Sequence, residues 1–512
     1  MPITPPHDQI FPPEIWEVII ARASRAGQRS CLFVCRAFHD MALQALFSSV
    51  YINLGLCEQN LFDRVRTKEL EHHNVSRSCS LLQRIADDVV FASYVREMRL
   101  YVYMNETKDK VPQARQCLLQ ALRNLHNLTA FLVFEHRSAL EVDQACIDAL
   151  ASAQPPLTEF QYPSDGTLTL RLCDLRLDAF DRLQSFTFQL ENGYRTDGWV
   201  DQNYYDMQKK FFRTFVGTRR DTLRRLDIGG NLALDCADAL RELPHLAELE
   251  VDCSEGVEKI ETLMQSCPNL QSFGIACYEG SDEEIMAMLA HNCSTLPYLT
   301  SFRYIQPMPR YGDAIALDGL ADFLKDKKSL RRLDITARYE WDGLKVLLPY
   351  FVSSKTLNIL GICLHADTFR EEDARHLESH LPVGLRALRV DIDIVALEVT
   401  PGLWHDLWTR RPDLRFIYIH EGPHETGPSI DVLQLAARAP RLQVIGLNGC
   451  FWEVERGSDG SVSLSAPWPM FKVMARDFGC EDWVWLTAKF PVHINHRLGR
   501  VYERRPSRSD YL

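Results

Sequence analysis

The sequence predicts an α/β fold: a solenoid of strand-plus-helix repeats with parallel strands on its concave face and helices on its convex face, preceded by a small all-α unit. Three observations carry this reading. An apolar triplet of the form Leu-x-x-apolar-x-apolar recurs thirteen times along residues 95–450. Successive triplets start 23 to 40 residues apart, about 29 on average. The segments between triplets carry apolar residues at helical spacing that stop just before the next triplet.

Composition sets the outer bounds. The 512 residues are 46% hydrophobic and 25% charged, an ordinary globular balance. The formal net charge of −12 excludes a general nucleic-acid binder, which needs a dominant basic face, and disfavours a membrane-surface role. No apolar run approaches the ~20 residues of a spanning helix. The 15 cysteines contain no CxxC pair. Met1 to Gln9 has no basic stretch followed by an apolar core. The cysteines are therefore expected to be reduced thiols of the cytoplasm or nucleus.

The elements follow in order. Residues 1–9 are Pro-rich and polar, an expected disordered tail. Residues 10–52 form the small helical unit. Pro12 and Pro13 sit where a first helical turn tolerates them, and Glu14 suits a helix N-terminus. Ile15, Val18 and Ile19 then share one apolar face. A second helix places Cys31, Leu32, Val34 and Cys35 inward, and a third runs from Arg36 to Phe47 with Phe38, Leu43 and Leu46.

Three short motifs stand in this unit: Phe11-Pro12-Pro13-Glu14-Ile15, Val34-Cys35-Arg36-Ala37-Phe38, and Leu46-Phe47-Ser48-Ser49-Val50. In order and spacing the segment resembles an F-box. The resemblance implies binding to a Skp-family adaptor of a cullin–RING ubiquitin ligase. By match to the motif, Pro12, Ile15, Leu32, Val34, Cys35 and Phe38 are the adaptor contacts. It also implies that the rest of the chain holds an unknown protein substrate.

Residues 53–94 are expected to be a helical connector, and residues 95–450 the solenoid. Its triplets begin at Val95, Leu128, Leu157, Leu183, Leu223, Leu246, Leu270, Leu299, Leu330, Leu357, Leu385, Leu414 and Leu442. Between them, Val257 to Cys267, Asp282 to Asn292, Gly319 to Lys325 and Ile430 to Ala439 read as helices, two of them stopped by Pro268 and Pro440. The strand's apolar positions point inward and stacking builds a continuous core. The pattern resembles the leucine-rich repeat, with Phe often in the second position and a polar insertion at Glu191 to Gln208. Residues 451–496 are expected to be a C-terminal cap that opens with a hairpin. Residues 497–512 are expected to be a disordered basic tail.

No catalytic residue, cofactor or metal is expected. The sequence has no GxGxxG, P-loop, HExxH or GxSxG. His420, Glu421, His424 and Glu425 straddle Gly422 and Pro423 and read as a solvated loop. Asp391 and Asp393 alternate on one strand, so they share a face, but no partner element is evident. Period two turns Ile359, Arg389, Phe416, Tyr418 and Val444 outward from the core on the last repeats. These five are the expected substrate-binding residues, forming one exposed or tail-covered patch.

Overall fold

A computed structural model describes residues 12–23, 25–54, 64–103, 111–136, 142–164, 176–190, 202–228, 232–253, 257–277, 282–306, 316–337, 339–421, 430–448, 450–468 and 480–488. They fall into two compact units, Met1–Leu232 and Ala233–Leu512. The expected tails at 1–9 and 497–512 lie outside the described residues.

The first unit opens with three helices, α1 (Pro13–Arg22), α2 (Arg25–Cys31) and α3 (Arg36–Phe47). Pro13 starts α1, where its missing N–H would have no helical partner anyway, and Glu14 meets the positive end of the helix. Ile20, Ala42 and Leu46 form the buried contacts of this bundle. The buried Gln28 amide donates to the carbonyls of Ile20 at 3.0 Å and Ala21 at 3.3 Å, near the C-terminal end of α1.

Six parallel strands follow in chain order: β1 (Ser49–Leu54), β2 (Glu97–Tyr103), β3 (Ala130–His136), β4 (Glu159–Ser164), β5 (Ser185–Leu190) and β6 (Arg225–Ile228). The apolar triplets set their register. Met98 lies opposite Phe131, Phe131 opposite Phe160, Phe160 opposite Phe186, and Phe186 opposite Leu226. Helices cover the inner face, as where Phe215 of Gln202–Thr218 packs on Phe186 at 4.5 Å between ring centres.

Two expectations are corrected here. The sheet begins at β1, inside the span assigned to the helical unit and its connector, because Phe47-x-x-Val50-x-Ile52 is itself a triplet. Val50 and Ile52 are buried and lie opposite Met98 and Leu100. The polar insertion is also shorter than expected. Gln202 to Gln208 belong to the first turns of the Gln202–Thr218 helix, and residues 191–201 lie outside the described residues.

The second unit repeats the plan through β7 (Glu248–Cys253), β8 (Ser272–Cys277), β9 (Ser301–Ile305), β10 (Arg332–Thr336), β11 (Ile359–Arg370), β12 (Ala387–Glu398), β13 (Phe416–Glu421) and β14 (Val444–Leu447), all parallel. A backbone ladder joins the turns before the strands: Thr300 N–H donates to Gln271 O, Arg331 to Thr300 O, and Arg415 to Arg386 O, each at 2.8 Å. The leading Leu270, Leu299, Leu330, Leu385 and Leu414 are fully buried. Each removes from water a side chain worth roughly 1.5–3 kcal/mol. The helices Val257–Ser266, Asp282–His291, Asp318–Leu324 and Val432–Arg438 fall where their apolar spacing puts them.

The unit closes with the expected hairpin. β15 (Cys450–Arg456) runs antiparallel to β14, and β16 (Val462–Leu464) returns along β15. Gly460, at φ 82°, takes the left-handed turn position between them. One more helix, Glu481–Ala488, lies on the strand side of the unit against β11 and β12, opposite the repeat helices.

Candidate protein-binding surfaces

The N-terminal helices leave apolar side chains in water. Ile15, Val18 and Ile19, three and four residues apart, share one face of α1 and are 44%, 49% and 44% exposed. Phe33 and Val34 stand on the turn between α2 and α3 at 88% and 64% exposure. Of the six expected adaptor residues, Pro12, Ile15, Val34 and Cys35 are exposed, while Leu32 and Phe38 are half-buried.

The inward assignment of Val34 and Cys35 is thereby corrected. α2 ends at Cys31, so these residues sit in the connecting turn and point out. Phe38 packs on Trp16 at 5.0 Å between ring centres, which makes it a contact between α1 and α3. Phe33 was not among the expected residues. Its signal was the unbroken apolar run Cys31-Leu32-Phe33-Val34-Cys35, longer than two short helices can bury.

The second candidate is the outer strand face of the second unit. Ile359, Phe416, Tyr418 and Val444 come together there in one cluster with Ala387, Phe451, Trp468, Trp483, Trp485 and Leu486. Of the two expected forms of the patch, exposed or tail-covered, the structure has the second. All five expected substrate-binding residues are buried, Arg389, Phe416 and Tyr418 completely. Phe451 stacks on Tyr418 at 5.1 Å and Trp483 on Phe416 at 5.4 Å. Gly446 makes the first stack possible, since a Cβ there would lie 2.4 Å from Tyr418 Cδ2.

Arg389 belongs instead to a buried charged strip. Asp334 accepts from Arg389 Nη2 at 2.8 Å, from Arg303 Nε at 3.3 Å and from the Thr336 hydroxyl at 3.2 Å. Arg303 Nη1 donates to Glu250 at 2.6 Å. Period-two alternation on β7, β9, β10 and β12 places these four charges on one face.

Beyond Arg389 the strand face turns polar. His365 Nδ1 lies 3.1 Å from Asp393, and Asp391 is paired in register with His420 of β13. Burial holds the Asp391 carboxyl above its ordinary value, against the lowering pull of His420 and Arg389. His424 and Glu425 lie outside the described residues. Cys146 and Cys267 are core fillers whose thiols burial pushes up to about 12.

No family model matches the chain, and no curated protein matches it. Among solved structures, a chain of the TLR13–ssRNA13 complex is similar, at 13% identity and a TM-score of 0.33, over 71% of this chain. This chain covers 54% of that one, about half its length. A likeness that distant carries no functional argument. The class rests on the geometry already described: parallel strands from a recurring leucine triplet, most of them followed by a helix, make this fold a leucine-rich-repeat solenoid. Among the described residues no helix is long and apolar enough to cross a membrane.

Proposed function

We propose that the chain is a substrate receptor of a cullin–RING ubiquitin ligase, with α1–α3 binding a Skp-family adaptor and the repeats holding a protein substrate. The observation that carries this reading is the exposure of Ile15, Val18, Ile19, Phe33 and Val34 in a unit whose three motifs resemble an F-box. Large apolar side chains left in water beside one another mark an interaction surface. The receptor would do no bond chemistry of its own. It would raise the effective concentration of substrate lysines near a thioester formed elsewhere.

The test is co-purification from cells. The native chain should capture the adaptor, and a chain carrying Ile15→Asp and Val34→Asp should lose it while its thermal unfolding is unchanged. Equal adaptor capture by the two chains would overturn the reading.

One observation favours a second reading, a leucine-rich-repeat scaffold without ligase coupling. α2, Arg-Ala-Gly-Gln-Arg-Ser-Cys, offers a partner no large aliphatic side chain. In that reading α1–α3 only cap the repeats, and neither chain captures the adaptor.

A further inference from the structure

The outer strand face of the second unit is covered by a helix that is not part of any repeat. Glu481–Ala488 sits on this face through two sets of side chains. Trp483 and Leu486, three residues apart, enter the apolar cluster of Ile359, Ala387 and Phe416. Asp482 and Trp485 turn toward the arginines of β9 and β10. Arg332 Nη1 lies 3.5 Å from Glu481 and 3.7 Å from Asp482. The Trp485 ring stacks under Arg303 at 4.4 Å and Arg332 at 5.4 Å, and Arg303 Nη2 donates to the Trp485 carbonyl.

Two features mark this contact. Side chains and the guanidinium–carbonyl bond hold the helix on the face. Beneath it lie Glu250, Arg303, Asp334 and Arg389, and buried ion pairs of this kind add little stability over apolar packing. Arg332, beside this strip, is the side chain that faces the helix carboxylates. Among the described residues, the Trp485 indole N–H is also buried without an acceptor, a cost of seating the helix here. Gly361 shapes the floor, since a Cβ there would lie 3.1 Å from Leu486 Cδ1.

We infer that Glu481–Ala488 is an internal stand-in for the partner of this face. The partner is a protein segment with carboxylates on the first turn of a short helix, followed by aromatic and aliphatic side chains that reach the arginines and the apolar cluster. The inference rests on the receptor reading above and names the chemistry of its substrate.

The probe is a fluorescein-labelled synthetic peptide of residues 481–488, titrated into the full chain. Trp483→Ala with Trp485→Ala in the full chain should free the face, so the variant binds the peptide at least about tenfold more tightly than the native chain does. A peptide carrying Glu481→Lys and Asp482→Lys should lose that gain. Equal affinity of native and variant chains overturns the inference. So does loss of cooperative unfolding in the variant, which would make the helix an obligatory part of the core.

A second variant tests the charges alone. Arg332→Glu, at a partly exposed side chain, should prefer the Lys-bearing peptide over the native one by about tenfold. No preference overturns the inference. Adaptor capture is measured on the same preparations. Failed peptide binding with intact adaptor capture defeats the docking site alone, and peptide binding with absent adaptor capture defeats the ligase coupling alone.

Discussion

The α1–α3 helices and the strand face of the second unit both present apolar side chains away from their local core, yet they end in opposite states. Ile15 and Val34 stay in water, whereas Phe416 and Tyr418 lie under Trp483 and Phe451. The difference lies in what the chain supplies next. After α3 it continues into β1 and the repeats. After β14 it supplies a hairpin that extends the sheet, and then a Trp-rich helix that lies on the face. An outward apolar position therefore marks a surface in both places, but only the following segment decides whether the surface is open.

The comparison extends to charge, where it is broken most forcefully. Asp334→Ala removes the carboxylate shared by Arg303 and Arg389 and leaves two buried guanidiniums short of a partner. It should cost about 3–5 kcal/mol, read as a fall in the urea midpoint. The matching test in the first unit is Glu97→Ala, whose partner Arg99 lies at 2.5 Å but whose carboxylate is a quarter exposed. Arg99 is itself buried, but water can reach it from the exposed side of Glu97, so the loss should be smaller, about 1–3 kcal/mol. Equal losses would mean that the covered strip is no more desolvated than this partly open pair.

Next in size is Gly361→Val. The new Cβ would stand 2.5 Å from Asp334 Oδ1 and 3.1 Å from Leu486 Cδ1, so either the ion pair or the covering helix must shift. Overpacking of this kind costs roughly 1–3 kcal/mol. If the helix is the element that yields, Trp483 and Trp485 fluorescence shifts to longer wavelength before global unfolding. A single coincident transition would show that the helix and sheet unfold as one.

A smaller effect of opposite sign is expected at Asp391. Burial raises its carboxyl above the unfolded value, so the protonated form favours the folded state. The ionised form therefore destabilises the native chain at neutral pH, and the penalty fades as pH falls into the ordinary carboxylate range. Asp391→Asn should raise the melting temperature at pH 7, with the gain shrinking on acidification. A gain that does not change with pH would point to packing instead.

The legible part of this molecule was the part that repeats. Thirteen triplets each mark a strand, because every strand buries the same two positions against a helix and so imprints the same spacing. β1 escaped because its triplet starts 48 residues before Val95, outside any period in the array. The outer face was legible in composition but not in state. Period two says that Phe416 points away from the core, while the cover comes from Trp483, which is remote in sequence and belongs to no repeat. Residues 451–496 read as a cap for the end of the array, and sequence gave no register by which to lay Glu481–Ala488 across β11 and β12. Helical spacing similarly identified the apolar stripe of α1 without saying which neighbour, if any, covers it.

The smallest expected effect on stability sharpens the comparison best. Phe33 and Val34 are the most exposed large apolar side chains of the N-terminal helices, and they sit on a turn rather than within a helix. Replacing both by Asp buries no charge and opens no cavity, so folding stability should stay within about 0.5 kcal/mol of the native chain. The charges would instead be buried on association, where an unpaired carboxylate costs several kcal/mol. The variant should thus melt with the native protein and still fail to retain the adaptor. Phe416→Ala supplies the contrast, because the stacked ring leaves a cavity under Trp483 and should cost about 3–5 kcal/mol with adaptor capture intact. If Phe33→Asp with Val34→Asp lowers the melting temperature as Phe416→Ala does, the N-terminal face is covered in solution, and the distinction between an open and a closed surface fails.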